Sequence, residues 1–116
     1  MEPKATITYD DFSKLDLRVV TILEAAEHPN ADRLLKLQVD VGGERRQICA
    51  GIRGRYDPQS LVGKQIIIIA NLEPRRIRGE DSNGMLLAAS VLDGDAVADI
   101  VLLNIDKPVP PGSRVS

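Results

Sequence analysis

With 116 residues and 12.6 kDa, the chain has length for one hydrophobic core and little room for two, so a single domain over 1–116 is the expectation. An apolar share of 43% argues against disorder, and 28% charged residues with a formal charge of -2 describe an ordinary soluble surface. No apolar run approaches the roughly 20 residues that span a bilayer, and the start MEPKATITYD lacks the basic and apolar regions of a secretory leader, so no membrane partner is expected and the cytoplasm is the expected compartment.

In chain order, residues 8–15 (TYDDFSKL) predict a short helical turn capped by Thr8, with Asp10 and Asp11 at its positive end and Phe12 and Leu15 pinning it to the core. Residues 17–26 are rich in Val, Ile and Leu and read as a long first strand. HPNADR breaks it: Pro29 holds His28 extended and Asn30 favours a turn, so His28 is a loop residue that helps order the turn. Strict alternation over 35–41 puts Leu35, Leu37, Val39 and Val41 on one face of a second strand. Gly42-Gly43 signals a hairpin into ERRQICAGI, the third strand, where Cys49 reads as a small buried hydrophobe. DPQSLVGK follows as a short helix capped by Asp57, and QIIIIAN as an apolar strand buried on both faces. Further strands are expected at 85–89 and 100–103, with an acidic turn at 93–95 between them and the stiff tail PVPPGSRV at the end.

This layout is all-β: an OB-fold, a five-stranded Greek-key barrel with a short helix between strands three and four, whose second and third strands and adjoining loops commonly form the binding face. The charge pattern agrees with it. From Arg33 to Gly79 there are ten bases against four acids, whereas 80–106 holds six acids and no base, and 1–32 holds three bases against seven acids. A basic face can therefore exist on a chain of acidic pI.

The chemistry concentrates in one run, 71–89 (NLEPRRIRGEDSNGMLLAA). An extended backbone there would present Arg76 and Arg78 on one side, with Arg75 beside them, and their planar forks suit phosphate oxygens. Ser82, Asn83 and Gly84 add small polar groups ahead of the unbranched Met85. The same residues also describe a solvated hairpin loop whose methionine caps the core. Catalysis finds little support: one His and one Cys, far apart in sequence, make neither a credible dyad nor a closed metal site, and no phosphate loop occurs. Neither cofactor nor metal is expected. Only three aromatics, Tyr9, Phe12 and Tyr56, lie outside the presumed binding face, which disfavours base stacking on single strands and favours backbone contacts to a folded RNA.

DLRV at Asp16, HPNADRLLKLQVDVG at His28, RQI at Arg46, GI at Gly51, VGK at Val62, ANLEPRRIRG at Ala70 and SNGMLLAA at Ser82 together resemble the tRNA-binding domain family. That family occurs as a free-standing structure-specific tRNA-binding protein, at the C-terminus of many bacterial methionyl-tRNA synthetases, and in phenylalanyl-tRNA synthetase and human cytokine-like relatives. The resemblance runs from about Ile7 to Val115, and TYDDFSKLDLRV is especially similar to the domain's start in the methionyl enzymes. It implies a non-catalytic OB-fold with a core of about 15–105 and extensions at 1–14 and 106–116 that build a homodimer. It further implies binding of the outer corner of the L-shaped tRNA with little sequence preference, and a synthetase catalytic domain as a partner on the same polypeptide.

Carried over residue by residue, the implied RNA contacts are Asn30, Arg33, Arg75, Arg76, Arg78, Ser82 and Met85. Asn30 and Ser82 would donate hydrogen bonds to sugar or phosphate, the arginines would neutralise phosphates, and Met85 would pack on a base or ribose or else serve the core or its rim. Two positions depart from the family: Glu73 replaces a common lysine, and Cys49-Ala50 replaces Val-Ser. The rival reading within the same fold family is a chaperone-like or secretion-related peptide-binding dimer.

Overall fold

A computed structural model describes residues 2–116. Thr8 caps α1 (Tyr9–Ser13) as expected, its Oγ1 accepting the Asp11 N–H. Phe12 and Leu15 do not pin this turn, which buries no residue. Asn71 anchors it instead: its Oδ1 accepts the Asp16 N–H at 2.8 Å, and its Nδ2 donates to the Lys14 carbonyl at 2.7 Å. A five-residue helix has too narrow an apolar stripe to dock by packing, so two hydrogen bonds from one side chain do the work.

The main sheet curls around β1 (Leu17–Glu27), which pairs antiparallel with β2 (Leu35–Asp40) through its second half and with β4 (Gln65–Ile69) through its first. A bulge at Ile22/Glu24 bends β1 between the two duties and turns Leu23 outward. β2 pairs with β3 (Arg45–Ala50) across the Gly42-Gly43 turn, where Asp40 Oδ1 accepts both glycine N–H groups. Short β7 (Met85–Leu86) pairs with β4, giving the order β3-β2-β1-β4-β7. The curl is drawn together where Asn83 donates its N–H to the Gln47 carbonyl at 2.8 Å. Helix α2 (Pro58–Leu61) stands between the third and fourth strands, capped by Asp57, and seals one end with the fully buried Leu61. The all-β class, the short helix and the partly open, OB-like curl therefore stand.

The alternating face of β2 is buried as its pattern predicts: Leu35, Leu37 and Val39 meet Val20, Ile22, Ile48, Ile66 and Ile68 in one core. β4 is not buried on both sides. Ile66 and Ile68 are inside, while Ile67 and Ile69 are half-buried, because a single curled sheet has only one interior. Cys49 is also not a core residue; Ile48 and Ala50 point inward, and Cys49 projects from the opposite, half-exposed face of β3.

The second half of the chain carries more strands than expected. The arginine loop is a hairpin, β5 (Arg75–Ile77) with β6 (Glu80–Ser82). The strand expected at 85–89 divides into β7 and β8 (Ala88–Asp93), and β8 pairs with β9 (Ala96–Leu102) in a separate two-stranded ribbon. The tail returns to the barrel. Its β10 (Arg114–Val115) pairs with the start of β1, and Gly112 packs so closely on Val41 and Gly42 that a Cβ there would meet the Val41 carbonyl oxygen at 2.7 Å. Among the described residues, no helix is long and apolar enough to cross a membrane.

Candidate nucleic-acid interface

The β5–β6 hairpin is built on a two-residue turn, Arg78-Gly79, with both residues in the left-handed region (φ 49 and 89). That geometry breaks the strand alternation at Ile77, so Arg76 and Arg78 do not share a side as an extended backbone would require. Arg76 faces its cross-strand partner Asp81 and pairs with it at 2.9 Å in solvent. Arg78 instead leans over the 28–34 loop and lines a cleft with Asn30, Asp32, Arg33 and Leu34.

His28 joins these two elements. It is 1% exposed; its Nδ1 accepts the Asn30 N–H at 2.9 Å, and its Nε2 lies 2.9 Å from the Ile77 carbonyl oxygen. Arg53 braces the loop from below, donating from Nη1 to the carbonyls of His28 and Ala31 and pairing with Glu27 through Nε. Sequence reasoning saw His28 as ordering its own turn but not its reach to the hairpin, and it missed Arg53 altogether. Neither long-range partner leaves a periodic signal in the chain.

At the hairpin's base a second cleft is lined by Cys49, Leu72, Glu73, Arg75, Ser82, Gly84 and Met85. Arg75 and Met85 are exposed there, Met85 at 45%, so the methionine stands at the rim and not in the core. Ser82 is placed differently from a solvent-facing donor. It is 5% exposed and its Oγ accepts the Cys49 N–H at 3.0 Å, which fixes β6 to β3. Glu73 lines the same cleft as Arg75, so the acidic departure from the family sits at this mouth.

Glu80 clamps the hairpin to the barrel. Its Oε1 accepts from Lys36 Nζ at 2.9 Å and from Gln47 Nε2 at 3.5 Å, and the Lys36 hydrogen bond holds its carboxyl below the ordinary glutamate range. Gln47 also donates to the Asp81 carbonyl at 2.8 Å. Burial beside this clamp pushes the Cys49 thiol up, with the Glu80 charge adding to it, so Cys49 is a protonated, weakly nucleophilic group.

The ten bases of the central span sort cleanly. Lys36, Arg45, Arg46, Arg53 and Arg76 are ion-paired with Glu80, Glu24, Glu44, Glu27 and Asp81. Arg55 donates to the carbonyls of Val97 and Ala98, and Lys64 lies over the Tyr56 ring. Among the described residues, that leaves Arg33, Arg75 and Arg78 with side chains that meet no acid, no carbonyl and no aromatic ring. All three line the two clefts of the hairpin, Arg33 and Arg78 in one and Arg75 in the other. Five residues of the expected set, Asn30, Arg33, Arg75, Arg78 and Met85, are thus exposed around these clefts. Arg76 is committed to Asp81, and Ser82 lies beneath.

Residues 17–114 match a family model described as "Putative tRNA binding domain". The chain is 51% identical over 109 residues to the methionine–tRNA ligase of Thermococcus kodakarensis, covering 94% of this chain and 14% of that protein. It thus spans about a seventh of that relative's length. Among solved structures, a MetRS-related protein from Pyrococcus horikoshii superposes with a TM-score of 0.87 at 34% identity, covering 97% of this chain and all of that one. The chaperone CsaA of Bacillus anthracis superposes at 0.84, also with 34% identity and the same coverage. The matched domain is a binding module and not a catalytic one, and the chain belongs to the tRNA-binding domain family.

Proposed function

We propose that this module captures folded tRNA at the outer corner of the L, through its backbone, for a methionyl-tRNA synthetase in the cytoplasm. The observation that carries the reading is the sorting of the ten bases of the central span: among the described residues, the three guanidiniums there without an internal partner line the hairpin clefts, while Arg114, also unpartnered, lines a different cleft with Tyr9 and Phe12. Planar forks with uncommitted N–H groups suit phosphate oxygens. Arg33 and Arg78 take one phosphate group and Arg75 another, roughly 10 Å apart at the two ends of a three-residue strand. Asn30 adds a hydrogen bond to sugar or phosphate and Met85 packs on a ribose or base. Ser82 holds the hairpin in place, and Arg76, already paired, contributes little.

The functional unit is a homodimer. The extensions at 1–14 and 106–116 build it, joined by the β8–β9 ribbon, with Val91, Leu92, Val97 and Val101 exposed on the ribbon and Ile7 and Tyr9 exposed on the N-terminal extension. The single domain, with its core at about 15–105, supports both surfaces. Attachment to a synthetase catalytic domain would raise the local tRNA concentration at that enzyme.

A titration with folded tRNA, and separately with an unstructured RNA of equal length, at several salt concentrations tests this. The expected result is tighter binding of the folded RNA with a log-log salt slope of about -2 to -4, the signature of a few neutralised phosphates. Equal binding of both leaves a nonspecific basic face. Binding of neither favours peptide capture, the reading to which the similarity to the chaperone CsaA lends its weight.

A further inference from the structure

We infer that His28 is a positioning residue for RNA contact: its imidazole locks the Asn30–Arg33 arm to the Arg78 turn and sets the separation between them. The inference rests on the RNA-binding reading of the cleft. Buried at 1% exposure, the ring itself is out of reach of RNA. Its two partners fix its form, because the Asn30 amide can only donate and the Ile77 carbonyl can only accept. The ring is therefore the tautomer with its hydrogen on Nε2, accepting at Nδ1.

Ile77 immediately precedes Arg78, and Asn30 opens the loop that ends at Arg33, so one ring spans 49 residues of sequence to join the two sides of one cleft. Both sides need such a joint. The loop closes on itself through the His28 N–H donating to the Leu34 carbonyl and rests on the Arg53 N–H through the Arg33 carbonyl, while the turn holds a non-glycine residue at φ 49. Arg53 steadies only the loop side, through the His28 and Ala31 carbonyls, and makes no bond to the hairpin. The imidazole thus supplies the direct bond between loop and turn, beside the Glu80 clamp that fixes the hairpin to Lys36 of β2. Its benefit to binding is that Arg33 and Arg78 meet phosphate already ordered.

Two measurements test this. In 15N-resolved NMR of the intact protein without RNA, the ring should show a pyrrole-like Nε2 with a slowly exchanging hydrogen and a pyridine-like Nδ1; a hydrogen found on Nδ1 overturns the inference. The second is a double-mutant cycle in tRNA affinity with His28→Asn and Arg78→Ala. Asparagine offers an oxygen near the place of Nδ1 and keeps the loop, but it cannot reach Ile77.

Arg78→Ala should weaken binding about three- to tenfold in the native background and less than about twofold beside His28→Asn, a non-additivity that a general loss of fold does not produce. Equal losses in both backgrounds overturn the joint while leaving the site. No loss in the native background overturns the RNA reading of this cleft and the inference with it. Should His28→Asn fail to fold, the NMR measurement decides alone.

Discussion

At the scale of single residues, Arg78 is the informative one. Two-residue hairpin turns with both residues at positive φ favour Asn-Gly, and a residue with a long side chain held at φ 49 costs about 1 kcal/mol. Strain of this kind gathers at sites where function requires a side chain that the local backbone does not favour. Arg78→Asn should therefore raise stability by about 0.5–1 kcal/mol, seen as a melting temperature higher by about 2–6 °C, while weakening tRNA binding. Thermal melts and RNA titrations on the same preparation check both halves. A variant that loses affinity without gaining stability would show that the turn holds arginine at no cost. Arg76, two positions earlier, makes the contrast: its guanidinium already has Asp81 at 2.9 Å, so it brings less uncommitted charge to the surface than its neighbours.

At the scale of elements, the β5–β6 hairpin is fixed to the barrel by Glu80 through Lys36 of β2 and Gln47 of β3. Because the folded state holds the Glu80 carboxyl below its ordinary value of about 4.3, the unfolded chain binds more protons between the two values. Stability from this clamp is complete above about pH 4.3 and is lost as pH falls through the folded value. Glu80→Gln should accordingly flatten the fall of melting temperature on acidification in that window, with little change at neutral pH; an identical acid profile would show that the clamp does not couple to folding. Lys36 and Glu80 stand 44 residues apart, and neither announces the other in the sequence. What was legible had local causes: the alternation of 35–41, the Gly42-Gly43 turn, the Asp57 cap. The hairpin at 75–82 was legible only as an alternative, a solvated hairpin loop, because arginine occupies a turn position where asparagine is the usual signal. The β8–β9 ribbon was legible only in part, as strands at 85–89 and 100–103 about an acidic turn, because its pairing apart from the barrel leaves no local signal. Arg75, Arg76, Arg78, Ser82 and Met85 stood out in the run itself and Asn30 and Arg33 came from motif resemblance, whereas the division into paired and unpaired bases required the fold.

At the scale of the whole molecule, a chain of net charge -2 would meet a polyanion with three uncommitted arginines, Arg75 and Arg78 on the hairpin and Arg33 on the loop beside it, so its attraction would be local and its long-range field weak. Away from that site, the β8–β9 ribbon forms a sheet of its own, tied back by Arg55 donating to the Val97 and Ala98 carbonyls, by the Leu102 N–H donating to the Tyr56 hydroxyl oxygen and by the Leu103 N–H donating to the Leu87 carbonyl. A two-stranded ribbon is marginal in water, and this one exposes Val91, Leu92, Val97 and Val101. A second copy of the chain, related by a two-fold axis, would cover those residues with the same residues and close the assembly at two. Leu92, at 65% exposed, is the place to test it, since a charge there leaves the barrel core untouched. Leu92→Glu should convert the proposed dimer to a monomer in sedimentation velocity. Because Arg33, Arg75 and Arg78 all come from one protomer, tRNA affinity per protomer should change by less than about twofold, apart from any avidity in the dimer. A variant that remains dimeric would move the interface to the N-terminal Ile7 and Tyr9. Monomerisation with a large loss of affinity at every salt concentration would show that one tRNA is gripped by both copies.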